Sequence, residues 1–461
     1  MEEIEILDLD DNNIKKKIDN KKTVKSKKRK EKQKRKMTKK EKVFLLCNIL
    51  VILGIIGVYA YRTVHYYKLS HNVVTDVTLK EKLTTLDKLS FQNDGLYEED
   101  KTFYFKGSDV NNYVYYSGRM FRIIDINNGI RMIEDETGTN LVWNVDGNFN
   151  DSLINNWLKS YLETLMDYDV YLKQNDWCNT SIDIENYNCS DTISSYVGLV
   201  STKDYLKAGG KTSYLNNKTY YWTINQDKDG KVFYVNDEGS INNLSNNEDN
   251  YFSYGIRPVI TLKEDVMYIS GDGSKNDPYI IEELGKALLK DNSVGSFVKY
   301  NNYDFRILST DEDGTRLILN KTLEESKNYS DALKYLNNNF LKEFKKEELV
   351  KQNYYSAEYN YANKYNYKTE KIAGSEYVIM PQIGDLFLND AENYWLSNIQ
   401  DSKLGLLYTV DDNHMFFADL KGNKHNLRPI IKVNKDMVVS SGIGTVDNPL
   451  IIGENDEETV E

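Results

Sequence analysis

The apolar residues of this 461-residue chain form one long run and many short ones. The long run, Val43–Tyr61, has 19 residues and no charged side chain. As a helix that rises about 1.5 Å per residue, it would span about 28 Å, close to the hydrocarbon thickness of a bilayer. Many of the short runs beyond it are rich in β-prone residues such as Tyr, Val and Ile and are joined by turns that contain glycine, which is typical of strands. The pattern predicts one transmembrane helix in front of a sheet-rich region.

The sheet-rich region begins with a predicted β-meander. Tyr113–Tyr116 and Met120–Ile126 are β-prone runs that meet at the turn Ser117-Gly118. Asn128-Gly129 then leads into Ile130–Ile133, because an Asn-Gly pair accepts the positive φ that a tight hairpin requires. The spacing therefore predicts consecutive antiparallel strands.

An amphipathic helix is expected next. Between Leu153 and Met166 the apolar residues recur at spacings of three and four, and Ser152 is placed to cap the first turn. The following expected elements are a strand at Tyr196–Val200, a short helix at Thr202–Lys207, and strands at Tyr220–Ile224, Val232–Val235 and Arg257–Leu262. Hairpins, a helix and several short antiparallel strands predict an α+β domain with its own core.

The same pattern returns later in the chain. Arg257-Pro258 and Arg428-Pro429 are 171 positions apart, and so are the glycines that begin the segments Gly271–Ile281 and Gly442–Ile452. The chain has only five prolines, so two Arg-Pro pairs at this spacing indicate two copies of one domain. Further matches run back along the chain: Trp222 with Trp395, Asp204 with Asp385, Lys173–Asn175 with Lys351–Asn353, and Phe121–Ile124 with Phe305–Leu308.

The predicted organisation places this duplication behind a membrane anchor. Its parts are a basic disordered cytoplasmic tail (1–42), a transmembrane signal anchor (43–61), a stalk (62–94) with a short helix in Leu79–Leu86, a first copy (95–283), a second copy (286–454) and an acidic tail (455–461). The fold class expected for each copy is a mixed antiparallel sheet with a helix.

Charge sets the predicted orientation. Residues 15–42 hold 17 Lys and Arg against three acids, which favours a cytoplasmic N-terminus with the remainder outside. A cleaved signal peptide is the main alternative, and a buried core helix is another. The tail either binds anionic lipids or only sets orientation. Since its net charge is +8 and the whole chain is −12, the remainder carries −20, which argues against nucleic-acid binding.

The cysteines fit this topology. Cys47 lies within the predicted membrane span, whereas Cys178 and Cys189 lie in a polar extracytoplasmic loop. Thiols outside the cytoplasm pair readily, so a Cys178–Cys189 disulfide is predicted, with two free thiols as the alternative. The second copy has no cysteine, so this bond would be a local crosslink.

Several segments of the first copy follow one another in a recognisable order: Gly95–Tyr97, Tyr104–Gly107, Asn111–Val114, Phe121–Ile124, Trp177–Asn179, Gly198–Ser201, Tyr221–Thr223 and Gly255–Ile260. In this order they resemble an uncharacterised surface-domain family of low-GC Gram-positive bacteria, whose members are often membrane-anchored and sometimes in tandem. The patterns Leu-x-Ser-x-x-Asp, Tyr-Trp-Thr and Gly-x-Arg-x-Val are more distantly similar to the C-type-lectin-like fold of sulfatase-modifying and related secreted domains. The resemblance implies a scaffold and transfers no activity.

Neither chemistry associated with that scaffold has its residues here. The late paired cysteines of the sulfatase-modifying enzymes are absent from both copies, and so is the Glu-Pro-Asn sugar loop of calcium-dependent lectins. The first copy has no histidine, which excludes a Ser-His-Asp triad or a histidine-ligated zinc there. His414 and His425 in the second copy could share a metal ion, but the sequence indicates no third ligand for it. Asp227-x-Asp229 and Asp311-x-Asp313 hint at calcium, but each precedes a glycine in ordinary hairpin chemistry.

No catalytic, cofactor-binding or metal-binding residue is therefore predicted. The repeated Arg257 and Arg428 are interpreted as buried arginines that tie the last strand to a carboxylate or a loop carbonyl, with a functional role as the alternative. Trp222 and Trp395 are interpreted as core residues first and ligand platforms second. The favoured hypothesis is a surface protein that binds a glycan, a wall polymer or a protein. A carboxylate-dependent hydrolase and a sensor or assembly factor acting through the basic tail remain as alternatives.

Overall fold

The computed structural model describes residues 77–85, 89–90, 94–143, 148–245, 252–355, 372–388, 391, 393–411 and 414–453. The predicted cytoplasmic tail, membrane anchor, most of the stalk and the acidic tail lie outside these residues. Within the described ranges, no helix is both long enough and apolar enough to cross a membrane. We call residues 95–283 the first half and residues 286–453 the second half.

The described chain is mostly β-sheet with a few short helices. The helices are α1 (Leu79–Leu83), α2 (Leu153–Leu162), α3 (Tyr168–Tyr171), α4 (Thr202–Lys207) and α5 (Tyr329–Asn338). The strands of the first half are β1 (Gly95–Glu99), β2 (Thr102–Lys106), β3 (Tyr113–Tyr116), β4 (Arg119–Asn127), β5 (Gly129–Glu134), β6 (Thr139–Val142), β7 (Asn175–Cys178), β8 (Thr192–Ser195), β9 (Val197–Leu199), β10 (Tyr221–Gln226), β11 (Val232–Val235), β12 (Ile241–Leu244), β13 (Ser253–Ile256), β14 (Pro258–Leu262) and β15 (Tyr279–Ile280). Those of the second half are β16 (Phe297–Tyr300), β17 (Tyr303–Thr310), β18 (Gly314–Leu319), β19 (Lys327–Asn328), β20 (Gln352–Tyr355), β21 (Ile372–Glu376), β22 (Val378–Ile379), β23 (Tyr394–Ile399), β24 (Leu404–Asp411), β25 (His414–Leu420), β26 (Lys424–His425), β27 (Ile430–Asn434), β28 (Val439–Ser441) and β29 (Leu450–Ile452).

The main sheet of the first half has the order β1-β2-β4-β5-β14-β9, with β3 and β15 added beside the beginning of β4. The β3–β4 turn places Ser117 (φ 51°) and Gly118 (φ 68°) in the left-handed region, and Gly129 (φ 114°) turns β4 into β5. Glycine accepts these angles without a Cβ clash, which is why the two turns predicted from sequence lie where they do.

The main sheet of the second half has the order β22-β27-β18-β17-β16-β29-β28. Its pairings β16–β17–β18–β27–β22 follow the same sequence as β3–β4–β5–β14–β9 in the first half. In each half the last strand returns to pair in parallel with the first strand of this series, Tyr279 with Val114 and Leu450 with Val298.

Each half also has a second, smaller sheet. In the first half its order is β12-β11-β10-β13-β6, and in the second half it is β23-β24-β25. Trp222 in β10 and Trp395 in β23 are fully buried. Their indole N–H groups donate to the carbonyls of Leu141 and Lys327, at 2.7 Å and 2.9 Å. Both tryptophans therefore serve the core.

The two halves contact each other directly. The Tyr115 hydroxyl donates to the Gly444 carbonyl at 3.0 Å, and the Arg306 guanidinium donates to the Gly118 carbonyl at 3.3 Å. The rings of Trp157 and Phe387 lie 5.2 Å apart, and second-half residues such as Leu386 belong to the hydrophobic core of the first half. The contact between the halves is therefore part of the hydrophobic core of the first half.

Helix α1 lies in the segment predicted to be a stalk, yet it packs on the first half. Leu79 and Leu83 are buried, and the Leu79 N–H donates to the Val266 carbonyl at 2.9 Å. Thr78 and Glu81 form a reciprocal capping box at its start. Leu79 and Leu83 are the two buried residues of this five-residue helix.

Four details differ from the sequence predictions. Helix α2 ends at Leu162, four residues before Met166, because the Met166 N–H donates to the Ser117 hydroxyl. The cysteine loop is not wholly irregular, since its ends pair as β7 and β8. Strand β14, which includes most of the predicted strand Arg257–Leu262, is not the last strand of the first half, because β15 follows it and pairs with β3. The sheets are not purely antiparallel, because β3–β15, β10–β13 and β16–β29 are parallel pairs. Such pairings join distant segments, so no local pattern could predict them.

Candidate functional site

The repeated Arg-Pro arginines are structural. Arg257 and Arg428 are fully buried ahead of β14 and β27. Nε of Arg257 donates to the Glu134 carbonyl at 3.0 Å, and Nε of Arg428 donates to the Leu319 carbonyl at 2.8 Å. Each guanidinium ties the start of one strand to the end of its neighbour. Neither is aimed at a ligand-accessible surface.

The hints of metal binding find no support among the described residues, where no group of three or more His, Cys, Asp or Glu could hold an ion. Asp311 is paired with the Lys432 ammonium at 2.6 Å, so a cation already occupies that side of the loop. Asp227 accepts from the backbone of its own turn and from Asn243. His425 is hydrogen-bonded to Asp419 at 2.6 Å. His414 belongs to β25, but its side chain lies outside what the structure describes.

A cleft of about 530 Å³ opens in the first half beside the β4–β5 turn. Its walls come from β2, β4, β5, β7, the cysteine loop and α4. Polar and aromatic side chains line most of it: Thr102, Tyr104, Asp125, Asn127, Asn128, Arg131, Lys173, Gln174, Asn175, Asp176, Trp177, Tyr187, Ser201, Lys203, Asp204 and Lys207. A concave polar surface of this kind is the leading candidate for a binding site.

An ion-pair triad forms part of the cleft lining. Arg131 reaches from β5 to Asp125 on β4, to which its Nε donates at 2.8 Å while its Nη2 makes a second, shorter contact. The same guanidinium donates two hydrogen bonds to Asp204 of α4, from Nη2 to Oδ1 at 2.7 Å and from Nη1 to Oδ2 at 3.1 Å. Bidentate arginine–carboxylate pairs fix both position and plane, so the triad is a rigid part of the wall.

The triad keeps Asp204 ionised. Burial alone would raise the pKa of Asp204, but the attraction of Arg131 and hydrogen bonds from Arg131 and Ser201 outweigh it and hold this pKa below its usual value. Ser201 also caps α4, because its hydroxyl accepts from the Asp204 N–H in a capping box. A carboxylate held in this way is a hydrogen-bond acceptor and a poor proton donor at neutral pH.

The rim of the cleft combines lysines with tyrosine rings. The Lys207 ammonium lies 4.1 Å from the Tyr104 ring centroid and 2.8 Å from a carboxylate oxygen of Glu99. The Lys203 ammonium lies 5.6 Å from the centre of the Tyr187 ring. Two of the rim's positive charges therefore already contact protein groups, and the cleft is close to charge balance although the chain is acidic.

One end of the disulfide, Cys178, lines the cleft. Cys178 and Cys189 are bonded, with 5.7 Å between their Cα atoms, as the sequence predicted. Beside them the Trp177 indole N–H donates to the Ser195 carbonyl at 2.8 Å. A Cβ on Gly198 would come within 2.3 Å of the Trp177 ring, so glycine is required there for β7 and β9 to approach.

The second half has a related but altered triad. Arg316 pairs with Asp385 at 2.9 Å, as Arg131 does with Asp204. Its Nε donates to Gln352 Oε1 at 3.1 Å, and the Gln352 amide donates to the Ile430 carbonyl. The matching Gln174 of the first half is exposed instead, and Asp125 takes the second place beside the arginine. The glutamine of this position is therefore buried in the second half and exposed on the cleft lining in the first.

Two other acidic features lie away from this cleft. A second cavity of about 890 Å³ in the second half has the carboxylates of Asp304, Glu324, Glu325 and Glu343 in its lining. Glu134 and Glu282 are buried in the first half and do not line either cavity, and burial raises the pKa of both.

Sequence reasoning missed the triad, although one signal was present. Asp204 and Asp385 were matched as repeated positions, and Arg131 and Arg316 recur in the same order. A recurring acid paired with a recurring arginine could have indicated an ion pair.

We compared the chain with protein-family profiles, with curated proteins and with solved structures, and none of the three comparisons gave a match.

Proposed function

We propose that this chain is a membrane-anchored, extracytoplasmic binding protein built from two tandem copies of one α+β domain, and that the first-half cleft is its ligand site. The tandem arrangement is supported by the shared strand order, the matched Arg257 and Arg428 contacts and the paired tryptophans. The anchor and its orientation rest on the apolar run and the basic residues before it.

The observation that supports binding over catalysis is the Asp125–Arg131–Asp204 triad. A carboxyl that acts as a general acid needs a raised pKa, whereas Arg131 lowers that of Asp204. A carboxylate nucleophile must reach its substrate, whereas both acids of this triad are engaged by the arginine. Among the residues that the structure describes, the carboxyls with raised pKa are Glu134 and Glu282, and both are buried away from the cleft.

The cleft chemistry suits an uncharged, hydroxyl-rich ligand such as a cell-surface glycan. Amide side chains such as Asn128 and Gln174 both donate and accept hydrogen bonds, and the ionised triad adds fixed acceptors. The rings of Tyr104 and Tyr187 supply rigid apolar faces with a polar end. Near charge balance disfavours a polyanion, which would meet the three acids of the lining, and a polycation, which would meet its lysines.

An array of neutral glycans and cell-wall polymers tests this proposal, with a hydrolysis assay on the same polymers. We expect the full chain in detergent to bind without turnover. Gln174→Ala and Lys203→Ala, both exposed on the cleft lining, should weaken binding about threefold to tenfold, the range of about 1 kcal/mol typical of contact residues. Asn302→Ala, an exposed amide in the second cavity, is the matched control and should bind as the unaltered chain does.

A hydrolase remains the second candidate because of the second cavity. Asp304 and Glu343 are exposed acids on its lining, and paired carboxylates can cleave glycosidic bonds. Turnover of any arrayed polymer that Glu343→Gln abolishes would favour this function over binding.

A further inference from the structure

The loop between β7 and β8 forms the outer wall of the cleft in the first half. Cys178 ends β7 and lines the cleft, and Tyr187 lines it from within the loop. The disulfide to Cys189 closes this loop two residues beyond Tyr187. The crosslink and the aromatic wall are thus parts of one segment.

The side chain of Tyr187 is held in place by partial burial and by a hydrogen bond. Its ring is half-buried, and its hydroxyl accepts from the Asn225 amide of β10 at 3.3 Å. Burial is the main reason that the pKa of this tyrosine is raised, so the hydroxyl stays neutral at physiological pH. A neutral, oriented tyrosine offers a flat apolar ring together with a hydrogen-bonding end.

Backbone contacts hold the beginning of the loop, where Ser181 forms a parallel bridge with Gln226 and the Ile182 N–H donates to the Gln226 carbonyl at 2.8 Å. The β7–β8 ladder pairs only four residues on each side, from Asn175–Ser195 to Cys178–Thr192. Ile182 packs in a small cluster with Cys178 and Phe233, apart from the main core. Without the bond the loop would gain conformational freedom, because a crosslink acts mainly by limiting the states of the chain between its ends.

The second half lacks this device. Its matching hairpin, β20 and β21, has no cysteine, and the Gln352 side chain of β20 is directed to Arg316. The crosslinked loop therefore occurs in the half whose glutamine is exposed and is absent from the half whose glutamine is buried beside the arginine.

We propose that Tyr187 is a ligand-contacting residue of the cleft and that the Cys178–Cys189 disulfide is the positioning element that holds it there. One face of a sugar ring packs on the tyrosine while the ring hydroxyls bond to the polar lining. This inference rests on the proposed function and names the residue that would contact the apolar face of an uncharged sugar ring.

The test measures binding of chitohexaose and cellohexaose, two uncharged hexasaccharides, to the full chain in detergent. Tyr187→Ala should weaken binding about tenfold or more, the loss expected for an aromatic contact residue. Tyr187→Phe keeps the ring and should stay within about threefold. The double variant Cys178→Ala, Cys189→Ala should weaken binding about as much as Tyr187→Ala. Tyr196→Ala removes a half-buried tyrosine that does not line the cleft and should leave affinity unchanged.

Thermal unfolding of each variant separates loss of the site from loss of the fold. If the cysteine variant unfolds, the comparison of Tyr187→Ala with Tyr187→Phe decides. The first variant removes the aromatic ring, and the second removes only the hydroxyl. Binding that Gln174→Ala weakens but Tyr187→Ala leaves intact would overturn this inference and keep the proposed function. Absence of binding to both sugars by the unaltered chain would overturn this inference, whereas the proposed function fails only if the glycan and wall-polymer array also shows no binding.

Discussion

Replacement of Glu282 by glutamine should stabilise the protein at neutral pH. Glu282 is 3% exposed and lies where the first half passes into the second. Its Oε1 accepts from the Ser117 N–H at 2.7 Å, and the Ser293 hydroxyl lies 3.3 Å from Oε2. Glutamine has the same shape, its carbonyl can accept the Ser117 bond, and its amide can donate to Ser293.

The magnitude follows from the ionisation of the buried carboxyl. Burial raises the pKa of Glu282 from 4.5 to about 7, against the bond from Ser117, the charge of Lys286 and the bond from Ser293, while the charge of Asp167 raises it further. Beyond the effect of burial, the charge of Glu282 in turn raises the pKa of Tyr115, Tyr116 and Tyr171.

The sign of the effect is set by which state releases the proton first. Below pH 4.5 both the folded and the unfolded chain hold it. Between pH 4.5 and 7 the unfolded chain releases it while the folded chain keeps it, so the free energy of unfolding falls as pH rises. At about 1.4 kcal/mol for each pKa unit, the loss above pH 7 is about 3 kcal/mol.

The assay is urea unfolding of residues 68–461, which form one compact unit, at pH 4.5 and pH 8. Glu282→Gln should exceed the unaltered protein by about 3 kcal/mol at pH 8 and by less than about 1 kcal/mol at pH 4.5. Glu283→Gln, at the exposed neighbour, should change neither value appreciably. A gain for Glu282→Gln that is equal at both pH values, or no gain at pH 8, would refute the reasoning.

Three further outcomes are expected. Gly118→Ala should lower the free energy of unfolding in urea by about 3 kcal/mol or more, because its Cβ would come within 2.4 Å of the Ser296 nitrogen. Gly230→Ala, also at positive φ but with nothing within 4 Å of its Cβ, should lower it by only about 1 kcal/mol. Equal losses for the two variants would contradict the packing argument. Arg257→Leu and Arg428→Leu should each lower the free energy of unfolding by about 3 kcal/mol, because each leaves buried carbonyls without a donor. A neutral result for either variant would contradict the equivalent structural role of the two arginines. Protease added to intact protoplasts should digest the chain beyond about residue 70 and spare the basic tail, whereas a protected large domain would reverse the proposed topology.

Local structure was predictable because its causes are local. The turns at Ser117-Gly118 and Asn128-Gly129 follow from positive φ, and α4 begins where Ser201 and Asp204 form a capping box. The parallel return of β15 onto β3 was not predictable, because it joins residues more than 160 positions apart and leaves no periodic signal.

The site was less predictable than the fold. Asp125, Arg131 and Asp204 come from three elements, and ordinary ion pairs on a surface use the same residue types. Asp125 and Arg131 are cross-strand partners in the β4–β5 hairpin, whereas Asp204 comes from α4, whose place beside that hairpin depends on the sheet order β5-β14-β9. The disulfide was predictable from compartment and spacing, but its place beside that cleft depends on how β7 and β8 pair.

The central claim is that the first-half cleft is the ligand site, and hydrogen–deuterium exchange of the full chain with and without bound glycan tests it most directly. The account predicts slower exchange on binding in Asn127–Gly129, Lys173–Cys178 and Ser201–Lys207, with no change in the matching second-half segments Lys351–Tyr355 and Gln382–Leu386. Slower exchange confined to the second half, or an unchanged cleft in the first half while glycan is bound, would contradict it.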